Sequence, residues 1–422
     1  MTSCPTPAPT DGEVRRAIDV FIGPAPQRLI IRQESVIPLD RGSVVICFSP
    51  SRSLQRSLIR AGYPYSCEFS VLPNPEQPRW LLPVGSVPTM LSGLGIYTPF
   101  ARRGRLLKAS LAGAIAFGWK GWSRTKVLLA ADKPLPLQAM VTEVTGEQRP
   151  VFAMSLGQRE RFRALTVQIM RPTGGVLGYI KLPLTDAATQ SLRHEAKVLT
   201  WLWNKVPRIR GHIPQVLHSG EWNGGFVLFQ SSGPRKRGPN GFGRMHTQFL
   251  ENLWQAQSVA KPGPVLVEKV AARWREIEPQ LETEWRNLGQ AALREAGLQL
   301  ERTTVSCGVM HGDFAPWNTR QQDDRLFAFD WESARFDAPT LWDVFHFKEQ
   351  VTFLLERKTT CYAPFGLTRT ADNASLLLYR LHSVCEALEQ GGPYLLQKIN
   401  HQKRQISHYL QHKSSAHCLT IN

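Results

Sequence analysis

The chain has 422 residues, which suggests two or three domains at roughly 150 residues each. Hydrophobic residues make up 42% and charged residues 20%, which excludes a disordered, collagen-like or low-complexity chain. The formal net charge is +17. Residues 1–150 carry 18 Lys and Arg against 10 Asp and Glu, and the remainder carries 33 against 24. The excess is therefore spread along the chain, and it favours anionic partners.

The seven cysteines lie far apart and include no CxxC pair, so neither a zinc site nor a redox motif is indicated. The first residues lack the basic and apolar segments of a signal peptide. The longest apolar stretch, 109–119, is too short to span a bilayer. We therefore expect a cytoplasmic protein.

Residues 1–12 are rich in Pro and Thr and are predicted to be disordered. The run Ser43–Phe48 predicts a strand, and the pattern over 54–61 predicts a helix with Ser51 or Ser53 as its N-cap.

The stretch 101–119 predicts a basic helix, and its run of Lys and Arg without an acidic residue continues to 126. Such a helix packs on its own domain or makes a peripheral contact with an anionic membrane. Specific nucleic-acid binding is not expected. We assign no chemistry to residues 1–145, an N-terminal α/β region.

From about residue 150 the pattern changes to short apolar runs separated by turns. A helix from Asp186 to Leu202, capped by Thr185, follows the third run, and Asn223-Gly224-Gly225 joins the last two. The predicted strands are 151–155, 165–170, 176–181, 215–218 and 226–230. A Gly- and Pro-rich loop, 233–244, then leads to a remainder with helical patterns over 247–300 and 374–413.

An apolar strand ends at His311-Gly312-Asp313, and Asn318 follows five residues after the Asp. Pro316 is expected to keep the intervening segment from becoming helical, so Asp313 and Asn318 lie on one tight loop. A second apolar run, 326–329, ends at Asp330. Two strand ends with carboxylates and a nearby amide form an oxygen-rich site that suits Mg²⁺ beside a phosphate.

Lys181 ends the third predicted strand, and Glu195 lies on the following helix in an apolar stripe with Leu192, Leu199 and Leu202. A carboxylate in such a stripe needs a partner when it is buried. Lys181 is the expected partner.

A strand Lys, a helix Glu, His-Gly-Asp-x-x-x-x-Asn and a later Asp-Trp-Glu together resemble the aminoglycoside phosphotransferase and choline kinase group. The resemblance covers 150–350 and extends to about 410, whereas 1–140 carry none. It implies an α+β protein-kinase-like bilobal fold that binds ATP between its lobes. The N-lobe is a five-stranded antiparallel sheet, and the C-lobe is helical.

The implied division is an N-terminal accessory region at 1–145, an N-lobe at 146–233 and a C-lobe at 234–422 with its catalytic loop at 309–332. Asp313, within the His311 motif, would be catalytic and would orient and deprotonate the acceptor hydroxyl. His311 is the second expected catalytic residue.

Asn318 and Asp330 would hold Mg²⁺, and Asp343 matches a helix-start Asp that braces the catalytic loop in this family. For the nucleotide, the resemblance implies Lys181 on the α- and β-phosphates, fixed by Glu195.

Gln230 and Ser232 fall where the adenine-contacting hinge is expected. The phosphate-covering loop 155–161 has only Gly157, unlike the glycine-rich loop of protein kinases. Asp330 is followed by Trp331 and not by Phe-Gly, which favours a small-molecule acceptor over a protein.

The predicted function is an ATP- and Mg²⁺-dependent phosphotransferase acting on a hydroxyl of a sugar, polyol or amino-alcohol, including anionic or lipid-linked ones. The main alternative is a catalytically weak kinase-like scaffold that recruits an anionic partner. A metal-dependent hydrolase using His311, Asp313 and Asp330 is disfavoured, because the C-terminal histidines (His401, His408, His412 and His417) are expected in an exposed tail. The oligomeric state is not predicted.

Overall fold

In the computed structural model the chain forms two compact units, residues 1–196 with 216–232, and residues 197–215 with 233–422. The structure describes residues 11–23, 27–31, 42–74, 77–99, 102–118, 125–157, 161–356, 369–391 and 394–418. The disorder predicted for 1–12 falls mostly outside these ranges, although Asp11 already begins a helix.

A ten-stranded sheet dominates the first unit. Its strands are β1 (Gln27–Ile31), β2 (Ser43–Phe48), β3 (Tyr65–Leu72), β4 (Trp80–Pro83), β5 (Lys126–Ala131), β6 (Val151–Ser155), β7 (Ala164–Met170), β8 (Val176–Pro183), β9 (Val216–Trp222) and β10 (Gly225–Ser231). Their spatial order is β1-β2-β5-β3-β4-β6-β7-β8-β10-β9. The β1–β2 pair is parallel and the other neighbours are antiparallel.

Six helices accompany this sheet. They are α1 (Asp11–Ile22), α2 (Arg52–Arg60), α3 (Val87–Gly93), α4 (Arg102–Ala116), α5 (Pro136–Thr145) and α6 (Asp186–Lys205), which continues into the second unit. A 3₁₀ turn, Leu94–Ile96, follows α3. Side chains of α1 and α5, including Phe21 and Val141, pack with Phe69, Phe152 and Val167 of the sheet in one core.

Local sequence signals account for these elements. The Ser51 hydroxyl accepts a hydrogen bond from the Leu54 amide and caps α2, as predicted. The Thr185 hydroxyl accepts one from the Ala188 amide at the start of α6. The predicted five strands with one helix between the third and fourth are confirmed.

The second unit is largely helical. Its helices are α7 (Arg244–Trp254), α8 (Gly263–Ile277), α9 (Thr283–Leu300), α10 (Trp342–Gln350), α11 (Thr370–Gln390) and α12 (Leu395–Cys418), with 3₁₀ turns Pro207–Ile209, Glu278–Gln280 and Pro316–Asn318 and a π-helical segment, Val351–Glu356. Trp274, Trp285, Phe345 and Tyr379 lie in its core. The α+β class is confirmed.

Two small antiparallel sheets belong to the same unit. Their strands are β11 (Lys236–Arg237), β12 (Ser258–Pro262), β13 (Thr304–Met310), β14 (Thr319–Gln322), β15 (Arg325–Ala328) and β16 (Arg335–Pro339). One sheet has the order β12-β13-β16 and the other β11-β14-β15. β12 and β11 lie in segments expected to be helix and loop.

The expectation of an exposed C-terminal tail is wrong for His401, which is 4% exposed on α12. The His401 ring lies 5.2 Å from the Phe353 ring, and Ile399 and Ile406 pack in the helical core from another side of α12. Arg380 of α11 also donates to the backbone oxygen and side-chain oxygen of Gln405.

Candidate functional site

The predicted catalytic loop begins where β13 ends, after Met310. Gly312 has a φ of +87°, and a Cβ at this position would collide with the backbone oxygen of Ser333. Only glycine fits both the left-handed backbone and this close approach. The expectation that Pro316 prevents helical structure is wrong in detail, because Pro316–Asn318 form a 3₁₀ turn in which Pro occupies an early position.

Asp343 fixes this loop from α10. Its buried carboxylate accepts hydrogen bonds from the His311 amide (2.7 Å) and the Gly312 amide (3.0 Å). Burial raises the pKa of Asp343 to about 6, although the two amide donors act in the opposite direction. The predicted bracing contact is thus present.

His311 is fully buried and holds the backbone with both ring nitrogens. Nδ1 accepts from the Asp313 amide at 3.3 Å, and Nε2 lies 3.1 Å from the Phe329 oxygen. Burial lowers the pKa of His311 to about 4, which agrees with the neutral ring that these contacts require. The geometry favours a positioning role, and its predicted catalytic role stays a prediction.

Asp313 and Asn318, the two ends of the sequence motif, meet directly. The Asn318 side-chain nitrogen donates to Asp313 Oδ2 at 2.7 Å and to the Asp313 backbone oxygen at 2.9 Å. Asn318 is buried, whereas the Asp313 side chain is 38% exposed. One loop therefore presents an accessible carboxylate held by a buried amide.

The other Asp313 oxygen contacts a histidine that the sequence analysis did not single out. His346 Nε2 lies 2.9 Å from Asp313 Oδ1, and the Tyr379 hydroxyl lies 3.1 Å from His346 Nδ1. Burial acts to lower the pKa of His346, but the hydrogen bond to Asp313 and the neighbouring carboxylates raise it above its usual value. Both carboxylate oxygens of Asp313 therefore have a fixed hydrogen-bonding partner.

Asp330 follows the hairpin that β14 and β15 form, in which Thr319 pairs with Ala328. The Phe329 amide extends this pairing by donating to the Asn318 oxygen at 3.0 Å, so the hairpin brings the backbones of residues 318 and 329 together. Asp330 itself has a φ of +73°. Because Nδ2 of Asn318 already serves Asp313, its Oδ1 is the atom available to a cation, and oxygen ligands fit Mg²⁺.

The first unit holds the predicted ion pair. Lys181 Nζ lies 2.9 and 2.7 Å from the two Glu195 carboxylate oxygens, and the Gln230 amide donates to Glu195 Oε1 at 2.9 Å. Glu195 is fully buried and the Lys181 side chain is 13% exposed. The pairing of Lys181 with Glu195 is confirmed, and their nucleotide-binding role stays a prediction.

The remaining predicted nucleotide-binding residues lie on strands of the same sheet or directly after them. Gly157 follows β6 with a φ of +65°, and residues 158–160 of its loop lie outside the described chain. The Ser232 hydroxyl lies 3.4 Å from the Val176 oxygen. The backbone of Gln230 pairs with Tyr179 of β8 and Val216 of β9.

No family model and no curated protein matches this chain. Solved structures do. The streptomycin–ATP complex of APH(2'')-IIa has 12% identity and a TM-score of 0.42, over 63% of this chain and 94% of its own. The GDP complex of aminoglycoside 2'-phosphotransferase-IIIa has 12% identity and a TM-score of 0.44, and the match covers 64% of this chain and 97% of its own.

A third structure is APH(4)-Ia with ADP and hygromycin B, at 15% identity and a TM-score of 0.44, over 64% of this chain and 97% of its own. These proteins are aminoglycoside phosphotransferases. This is the group that the motifs of the chain resemble.

The sequence did not predict three contacts of the site: His346 with Asp313, Tyr379 with His346, and Gln230 with Glu195. His346 lies three residues after Asp343 on a predicted helix, so a helical projection would have put both on one face. Tyr379 and Gln230 offer no comparable signal, because each reaches its partner only through tertiary packing.

Proposed function

We propose that this protein is an ATP- and Mg²⁺-dependent phosphotransferase that transfers the γ-phosphate to a hydroxyl of a small molecule. The observation that carries the proposal is the Asp313 carboxylate, accessible yet held by Asn318 and His346 at 2.7 and 2.9 Å. Such a constrained carboxylate suits a group that orients one hydroxyl in phosphoryl transfer.

In the proposed reaction the acceptor hydroxyl donates its proton to a carboxylate oxygen of Asp313. The acceptor oxygen then bonds to the γ-phosphorus while the bond from that phosphorus to the β-phosphate bridging oxygen breaks, which releases ADP. His346 donates through Nε2–H to Asp313 Oδ1, and its Nδ1 pairs with the Tyr379 hydroxyl. This chain of donors fixes the carboxylate plane.

Asn318 Oδ1 and Asp330 are the proposed magnesium ligands. The ion, when bound, would neutralise charge on the phosphate oxygens. We assign the α- and β-phosphates to Lys181, whose ammonium is held by both oxygens of buried Glu195. Gly157, Gln230 and Ser232 stay the proposed residues for the phosphate-covering loop and adenine.

The acceptor class follows from charge. A site for polycations would be rich in carboxylates, whereas the chain carries a net charge of +17. We therefore favour a sugar, polyol or amino-alcohol acceptor, including anionic or lipid-linked ones, over a polycation. The division into 1–145, 146–233 and 234–422 and the cytoplasmic location stay predictions.

The test is turnover of Mg-ATP with pools of hydroxylated metabolites, in the wild-type chain and in Asp313→Asn. A matched control is Asp323→Asn, the same carboxylate-to-amide change at an exposed turn residue whose φ of +53° suits Asn. We expect the acceptor-dependent turnover to vanish in Asp313→Asn and to persist in the control.

ATP binding is measured separately by calorimetry in the wild-type chain and in Lys181→Met. Weaker binding in Lys181→Met is expected. Tight ATP binding without turnover in any pool would favour the scaffold alternative, and absence of ATP binding in the wild-type chain would refute the proposal.

A further inference from the structure

Helix α4 presents a solvent-facing side of unusual composition. Leu106 is 69% exposed, Leu107 55% and Phe117, directly after the helix, 94%. Arg102 and Arg103 are exposed in the first turn of the same helix. Large exposed apolar side chains beside arginines need a physical explanation, because monomeric proteins rarely group them.

The opposite side of α4 packs on its own unit. Ile115 is fully buried, and Leu111 and Ala112 pack against the same cluster. Lys108 donates to the Tyr97 oxygen, and Gly104 lies so close to Pro99 that a side chain there would collide. The sequence expectation of packing on its own domain is therefore correct for one side of the helix only.

Two of the exposed apolar residues, Leu106 and Phe117, are aligned along the helix, and Leu107 lies beside them. Leu106 and Phe117 are eleven residues apart, which is about three helical turns or about 16 Å. The Phe117 amide donates to the Gly113 oxygen at 3.0 Å, so the helical path continues to this residue. Leu106 and Phe117 therefore project from one side of α4.

The charge around this helix has a single sign. Residues 77–131 contain no Asp or Glu, and they include eight Lys and Arg. Among the described ones, Lys126 is paired with Glu68 at 3.0 Å, whereas the α4 arginines lie at the exposed helix start. The electrostatic potential near this helix is therefore positive, and the segment without acidic residues is longer than the helix itself.

We propose that α4 docks this protein on an anionic lipid bilayer, with Leu106, Leu107 and Phe117 inserted at the interface and Arg102 and Arg103 on the lipid phosphates. Arginine charge and apolar side chains on one side of a helix are what an interfacial helix requires. No described helix has the length and apolar content needed to cross a bilayer.

Two other occupants fit less well. Nucleic acid would use the arginines, but exposed Leu and Phe gain nothing from a phosphate backbone. A second copy of the chain, paired through α4 about a twofold axis, would bring the arginine-rich helix starts of both copies into one interface without an acidic partner.

The experiment is co-sedimentation of the full chain with vesicles of phosphatidylcholine alone or with added phosphatidylserine. We expect binding only to the vesicles with phosphatidylserine, and weaker binding at high salt. The double variant Leu106→Glu/Phe117→Glu should lower the partition coefficient about tenfold or more, because carboxylates replace the inserted groups and are repelled by the lipids.

Leu298→Glu is the matched control, since Leu298 is 74% exposed on α9 of the other unit. It should bind the vesicles like the wild-type chain, and circular dichroism checks that every variant is folded. Arg102→Gln/Arg103→Gln should reduce the salt-sensitive part of binding.

The proposal would be overturned by equal binding to both vesicle types, by an unchanged partition coefficient in the Leu106→Glu/Phe117→Glu variant, or by lipid-free self-association that this variant abolishes. Vesicle binding absent while duplex or single-stranded nucleic acid binds would also overturn it, and would assign the basic surface to nucleic acid.

Discussion

The ion pair between Lys181 and Glu195 allows a quantitative test of how the first unit is stabilised. With both N–O distances below 3 Å, 2.9 and 2.7 Å, the attraction is about 6 kcal/mol at an effective dielectric constant of about 20. Desolvation of the two charges offsets most of this. Removing one partner should still cost about 3–5 kcal/mol, because the other charge stays buried.

The variants are Lys181→Met, Glu195→Gln and the double variant. Each single change should lower the local free energy of opening by about 3 kcal/mol or more, and the double variant should be more stable than either single one. The double variant contains neither buried charge. Its Gln side chain at position 195 keeps an oxygen that can accept the hydrogen bond from Gln230.

Hydrogen exchange followed by mass spectrometry reports the region concerned. About 3 kcal/mol corresponds to roughly a hundredfold faster exchange in peptides from β8 and α6, with little change in peptides from α9. Single variants that exchange within a few-fold of the wild-type chain, or a double variant whose loss equals the sum of the single losses, would refute the reasoning.

Three further predictions concern the loop. His346→Gln should lower acceptor-dependent turnover about tenfold or more with ATP affinity unchanged, because Asp313 loses its imidazole donor; equal kinetics would contradict this. His311 binds a proton in the unfolded chain near pH 6.5 but in the folded chain only near 4, so stability should fall by up to about 3 kcal/mol as the pH drops through that window. Urea unfolding midpoints measured against pH should show a smaller loss of stability at low pH in His311→Gln than in the wild-type chain. Gly312→Ala should lower the melting temperature more than Gly391→Ala, where φ is also positive (+69°) but the surrounding space is open.

The parts of the fold that the sequence predicted are those controlled by local signals. Ser43–Phe48 is a strand with those same bounds because its apolar run is short and bounded by turn residues. Thr185 and Ser51 cap helices because their hydroxyls satisfy free amides within three residues. None of these depends on distant parts of the chain.

What the sequence could not predict depends on tertiary pairing. β12 is a strand because it pairs with β13, although Ser258–Pro262 lies within a helical pattern. No helix is predicted at α1, because the Pro- and Thr-rich residues before it favour disorder. The pairing of β4 with β6, which makes one sheet of ten strands, has no local signal.

In the site, the motif spacing predicted that Asp313 and Asn318 would lie on one loop, and the family resemblance implied that Asp343, at a helix start, would brace this loop. The contact of His346 with Asp313 joins residues 33 apart in the chain. This contact depends on the path that α10 takes after β16, and the sequence does not specify that path.

The junction of β4 with β6, through Trp80 opposite Ser155 and Leu81 opposite Met154, has a consequence for shortened chains. A chain beginning at residue 146 would have β6 as an unprotected sheet edge, with open amides and carbonyls ready to recruit another molecule. It would also lose Phe21, Phe69 and Val141 from the core that Phe152 shares. The N-terminal strands therefore cover a sheet edge that could otherwise pair with another molecule. Insolubility of such a fragment would say nothing about its catalytic competence.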